Sequence, residues 1–78
     1  MTTEEEKKYL EQLGARLRQL RKEKGFANYE QFAEAHGIGR AQYGRYEKGA
    51  NITFVNLMKL VRIHELTLSE FFSKGFGG

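Results

Sequence analysis

Few side chains in this sequence could do covalent chemistry. Ser69 and Ser73 are the serines, His36 and His64 the histidines, there is no Cys, and all ten acidic residues are Glu. The serines sit near the C-terminus without a His and an acid placed to activate them, so nucleophilic catalysis finds no support. Two histidines without Cys or Asp make a poor metal site; a core edge or a helix end suits them better. No enzyme is expected, and no metal, cofactor or small-molecule substrate. Charge is more informative. The formal net charge is +3, but residues 1–11 carry −2, residues 12–62 carry +6 and residues 63–78 carry −1. A basic middle between acidic ends fits a polyanionic partner, because summed charge steers association over about a Debye length.

Size and composition bound the rest. A chain of 78 residues makes one domain with a thin core. Without cysteine it has no disulfides, and nothing points to an oxidising compartment. No apolar run approaches the roughly 20 residues that span a bilayer, and the start MTTEEEKKYL is acidic, unlike a signal peptide. These features predict a soluble cytoplasmic binding module.

Helices must position the charges, and their start and stop signals are clear. Leu10, Leu13, Leu17 and Leu20 make one helical stripe, a core face and not a membrane-binding one. Thr2 and Thr3 each precede a Glu by three residues, the capping-box spacing, and Gly25 is a natural stop, which predicts a first helix over about 4–24. Four shorter helices come next, at about 28–36, 39–48, 53–64 and 67–74. Each opens with an apolar pair across its cap: Ala27 with Phe32, Ile38 with Tyr43, Ile52 with Leu57, and Leu66 with Phe71. Gln31 and Glu70 complete capping boxes with Asn28 and Thr67. No segment alternates like a strand, so the fold class is all-α.

The second and third helices are separated only by Gly37-Ile38-Gly39, which forces a steep crossing. Ala33 is the small residue at the contact, Ile38 plugs the angle, and Tyr43 and Tyr46 turn inward. That string has the spacing of a DNA-binding helix-turn-helix. Before it runs Leu17-Arg18-Gln19-Leu20-Arg21-Lys22-Glu23-Lys24-Gly25, Tyr46-Glu47-Lys48-Gly49 closes it, and Leu57-Met58-Lys59-Leu60 and Leu66 to Phe72 come after. In this order the pieces resemble the compact five-helix, lambda-repressor-like DNA-binding domain of the Cro/CI (XRE-type) repressor family, from about Leu13 to Phe72. The resemblance implies an N-terminal extension of the first helix over 1–12, a helix-turn-helix domain over 13–73 and a flexible glycine-rich tail over 74–78.

The same resemblance implies roles for individual residues. It makes residues 39–48 the recognition helix, lying in the major groove. With Tyr43 and Tyr46 inward, the opposite face holds Ala41, Gly44, Arg45 and Lys48, flanked by Arg40 and Gln42. Arg40, Ala41 and Arg45 are base-reading candidates, because Arg pairs bidentately with guanine and an Ala methyl packs on a thymine methyl. Gln42 is a weaker one. Asn28 and Tyr29, at the start of the second helix, and Lys48 and Asn51 near the glycine turn are candidate phosphate contacts. Glu47 would repel phosphate unless neutralised; the family pairs that acid with an arginine of the first helix, and Arg21 matches the position. Several residues depart from the family pattern. Gly39 lacks the usual Ser or Thr cap, Tyr43 and Tyr46 replace aliphatics and need partners for their hydroxyls, and Glu65 stands where Gly is favoured. Gly44 weakens the third helix, a cost that close approach to a groove would explain.

The function implied is a sequence-specific, double-stranded DNA-binding transcriptional regulator of bacterial or phage type, located at the nucleoid. It would act as a homodimer, because one recognition helix covers only a few base pairs. Val55, Met58, Ile63 and Phe76 exceed the needs of a five-helix core and are candidates for the dimer surface. The alternative is an antitoxin or adaptor of the same fold whose main target is a protein partner. The basic set Arg40, Arg45 and Lys48 favours DNA over that alternative. Arg16, Arg18 and Lys22 could face either phosphate or solvent.

Overall fold

Four of the five described helices begin where a side chain satisfies a backbone N–H group that has no partner within the helix. The computed structural model describes residues 3–77, so Thr2, with its expected capping box to Glu5, lies outside the described residues. Thr3 starts α1 (Glu4–Glu23) with a full capping box: its hydroxyl accepts from the Glu6 N–H at 3.1 Å, and the Glu6 carboxylate accepts from the Thr3 N–H at 2.8 Å. Thr67 and Glu70 repeat the box at α5 (Leu68–Phe71). Asn28 caps α2 (Tyr29–Ala35) through the Gln31 N–H at 2.8 Å, but Gln31 returns no bond and the expected box is half made. Thr53 caps α4 (Phe54–Ile63). α3 (Arg40–Glu47) alone, among the described helices, starts without a side-chain cap, at Gly39.

Four helices end in the same way, with a left-handed residue followed by a bond back over six residues. Phe26 N–H reaches the Arg21 carbonyl, Ile38 that of Ala33, Ala50 that of Arg45 and Leu66 that of Val61. Gly25, Gly37 and Gly49 supply the positive φ at the first three turns, whereas Glu65 holds the fourth at φ 58° with a side chain in place. The turn expected of glycine therefore forms with glutamate, at a cost of roughly 1–2 kcal/mol. Ile38 and Leu66 close one helix and pack, half-buried, against the core. At α2 the packing residue is Phe26 and not the expected Ala27, which is exposed; the Phe26 ring meets Phe32 edge-on at 5.4 Å.

The core joins Leu13, Leu17 and Leu20 of α1 to Phe32, Ala33, Tyr43, Tyr46, Leu57, Leu60, Val61 and Phe71. Ile63 and Phe76, expected to be surplus, pack against this cluster, whereas Val55 and Met58 are exposed. Phe76 also contacts the Phe72 ring at 4.8 Å, so the start of the glycine-rich tail is held. α5 is shorter than the predicted 67–74 because its carbonyls are taken. Arg16 Nε donates to the Phe71 carbonyl at 2.7 Å, Arg16 Nη2 to that of Glu70 at 3.2 Å, and the Ser73 hydroxyl also binds Glu70. Arg16 is buried against the Phe71 ring, so it faces neither phosphate nor solvent.

Gly14 lets two helix backbones meet directly. A Cβ there would stand 2.5 Å from the Glu47 carbonyl oxygen and 2.7 Å from that of Tyr46, so α1 touches the end of α3 backbone to backbone. Both histidines lie in the aromatic cluster around Phe32. His36 Nδ1 bonds the Phe32 carbonyl at 2.9 Å, and the His64 ring stacks on Phe32 at 5.3 Å with Nε2 buried and unpartnered. Among the described residues no group of three or more His, Cys, Asp or Glu comes together, and no helix is long and apolar enough to cross a membrane.

Two stability measurements check this account. Gly14→Ala forces α1 off α3 and should lower unfolding free energy by about 1–3 kcal/mol, the usual scale of overpacking, in urea denaturation. Burial, aided by Lys24, His36 and Arg16, pushes His64 down to about 4 from 6.5. The unfolded chain therefore takes up this proton at higher pH than the folded one. Stability is complete above pH 6.5 and falls towards pH 4. His64→Phe should flatten that part of the urea-midpoint profile; an unchanged slope would contradict the assignment.

Candidate nucleic-acid interface

α3 can present side chains to a partner only if its opposite face is fixed, and three contacts fix it. Arg21 and Glu47 form a two-pronged pair, Nε to Oε2 at 2.7 Å and Nη2 to Oε1 at 3.1 Å, with side chains only 5 % and 7 % exposed. Arg21 Nη1 also donates to the Phe26 carbonyl at 2.9 Å, and the bond to Glu47 raises the guanidinium further above its ordinary value. The acid on this helix is thus neutralised from α1 and presents no free charge to an anion. Tyr43, fully buried, lies beside the pair; burial first and the Glu47 carboxylate next hold its phenol protonated. Its hydroxyl has no hydrogen bond of good geometry. Gly14 seats the last turn of α3 directly on α1.

The third contact corrects the expectation for Gly44. This residue is buried, and a Cβ there would stand 2.5 Å from Cε1 of Tyr29. Gly44 therefore makes room for the Tyr29 ring and not for a groove. It leaves the outer face, and Tyr29 links the start of α2 to the middle of α3.

Arg40, Ala41, Gln42, Arg45 and Lys48 are all exposed along α3 and its end. Among the described residues the side chains of Arg40, Arg45 and Lys48 have no hydrogen-bond or ion-pair partner, so their charges face outward uncompensated. Gln42 differs: its Nε2 donates to the Tyr46 hydroxyl at 2.7 Å, and Asn56 Nδ2 of α4 approaches the same oxygen at 3.4 Å. Asn28 is exposed, with its Oδ1 used as the α2 cap, and Asn51 is exposed in the turn after α3.

Three elements of this arrangement were missed at the level of sequence. Gly14 had a signal, since a glycine inside a strong leucine stripe usually marks close approach. Arg16 also had one, falling three residues after Leu13 and four before Leu20 on the apolar stripe. The bond from Gln42 and Asn56 to Tyr46 had none, because Asn56 comes from a different helix.

An exposed basic face on the second helix of a tight helical pair, braced from behind, defines a helix-turn-helix protein. Residues 17–71 match the Helix-turn-helix family, and the chain belongs to that XRE-type family of DNA-binding transcriptional regulators, which are not enzymes. The chain is similar to control protein C.MunI of a Mycoplasma species, 41% identical over 61 residues that span 77% of this chain and 82% of the relative. In structure it is similar to the restriction-modification controller protein C.AhdI from Aeromonas hydrophila, with TM-score 0.70 and 35% identity, covering 82% of this chain and 97% of that one.

Glu47→Gln tests the brace. Losing the carboxylate leaves Arg21 buried without its counter-charge, and stability should fall by about 3–5 kcal/mol, as for other broken buried pairs. An Arg21→Met/Glu47→Met double variant should recover part of that loss in thermal melts.

Proposed function

We propose that this chain is a transcriptional controller of restriction–modification genes, binding double-stranded DNA with α3 in the major groove. Arg40 and Arg45 read guanine edges, and Ala41 packs on a thymine methyl. Asn28, Tyr29, Lys48 and Asn51 hold the phosphate backbone and set register. The observation that carries this reading is the set of uncompensated cations Arg40, Arg45 and Lys48 on a helix whose own acid is internally paired. The name of the C.AhdI neighbour supplies the restriction–modification context.

One such helix reads only a few base pairs, so specificity calls for two copies on a two-fold site. Phe54, Val55, Met58, Leu68 and Phe72 are exposed large hydrophobics of α4 and the α5 end, and we propose that they form the homodimer surface. The protein would then act by occupancy at the nucleoid, in the cytoplasm of a bacterium, with its own concentration setting the dimer population.

Selection of bound duplexes, followed by salt titration against random DNA, tests the reading. Arg45→Ala should lose on the order of tenfold in preference at one position of each half-site. Lys48→Ala should instead weaken selected and random duplexes alike and reduce the salt slope by about 1. If no duplex is preferred over random DNA, the reading is wrong.

A further inference from the structure

Gln42 stands among the exposed residues of α3, yet its amide is not presented outward. Nε2 bonds the Tyr46 hydroxyl one turn later at 2.7 Å. Oε1 lies towards the previous turn, 3.9 Å from where a Cβ on Gly39 would be. The amide thus lies along the helix, covering the stretch from Gly39 to Tyr46. Tyr46 does not move easily, since the residue is 8 % exposed and sits in the core, and Asn56 of α4 approaches its oxygen at 3.4 Å.

Glutamine reads adenine by offering a donor and an acceptor together from one amide plane. An amide laid along its own helix cannot turn that edge towards a base. Breaking the bond to Tyr46 would strip the phenolic oxygen of a buried residue of its closest donor, which opposes release. We propose that the Tyr46 hydroxyl, held in turn by Asn56, is a specificity-determining latch that keeps Gln42 out of base readout. The inference rests on α3 being the DNA-reading helix. With the latch closed, Arg40, Ala41 and Arg45 carry the readout, and the base pair opposite Gln42 is left unread. Tyr46 acts only through Gln42 and is a positioning residue.

Selection of bound duplexes with four proteins tests this: wild type, Gln42→Ala, Tyr46→Phe and the double variant. Tyr46→Phe keeps the buried ring and removes only the hydroxyl; a thermal melt confirms that each variant is folded. Gln42→Ala should select the same site as wild type, with affinity within about twofold. Tyr46→Phe should gain a preference for adenine at one further position, on the order of tenfold. That new preference should vanish in the double variant, which a purely structural role for Tyr46 would not produce. The latch is overturned if Gln42→Ala changes the wild-type site, or if Tyr46→Phe selects the wild-type site unaltered. If wild type selects no site at all, the DNA-reading assignment of α3 fails and the latch falls with it.

Discussion

The geometry of this protein turns on the contact between Gly14 and the last carbonyls of α3. Helix axes normally stay apart by the width of their side chains. Removing one Cβ lets α1 come down on the Tyr46 and Glu47 carbonyls and sets the depth at which α3 sits. Arg21 lies two helical turns further along the same face, and at that depth its guanidinium meets Glu47 squarely. The glycine sets distance and the ion pair sets rotation. Together they make a helix of only eight residues, uncapped at its start, into a fixed platform.

Polar groups within the fold serve position more than stability. Arg16 ends α5 by occupying the carbonyls that another turn would use, and so fixes where Phe72 emerges. Arg21 instead holds α3 through the Glu47 carboxylate. Both are buried arginines of α1, but Glu47 neutralises Arg21, whereas Arg16 donates only to carbonyls and the Gln19 amide. On α3 and its end the basic character comes from the exposed residues Arg40, Arg45 and Lys48, and net charge understates it.

Local chemistry was legible in the sequence, and tertiary fit was not. Helix starts at Thr3, Asn28, Thr53 and Thr67 and stops at Gly25, Gly37 and Gly49 depend on a few neighbouring residues, so spacing alone revealed them. The Arg21–Glu47 pair was implied by a family resemblance and could not have come from spacing, because 26 residues separate the partners. Gly44 was misjudged because a wheel places residues on a face without saying which neighbour covers it; the Tyr29 ring does. Phe26 takes the place expected of Ala27 at the second helix, its ring meeting Phe32 edge-on. The outward face of α3 was legible as a set of residue types, whereas the tie from Gln42 to Tyr46 appears only once α4 is in place.

Ile38 and Leu66 each end one helix through a backbone bond and anchor the turn before the next helix in the core, so consecutive helices are joined with little slack. An insertion of one residue in the turn at 37–39 would rotate everything after it by about 100° relative to the scaffold, because an α-helix advances 3.6 residues per turn. Arg45 would then take the place of Tyr46, bringing a charge into the core, and Tyr43 that of Gly44, where the Tyr29 ring leaves no room for a side chain. Length variation is closed to this segment as an evolutionary route. Divergence in what the protein recognises has to proceed by exchange of side chains on a backbone of constant length.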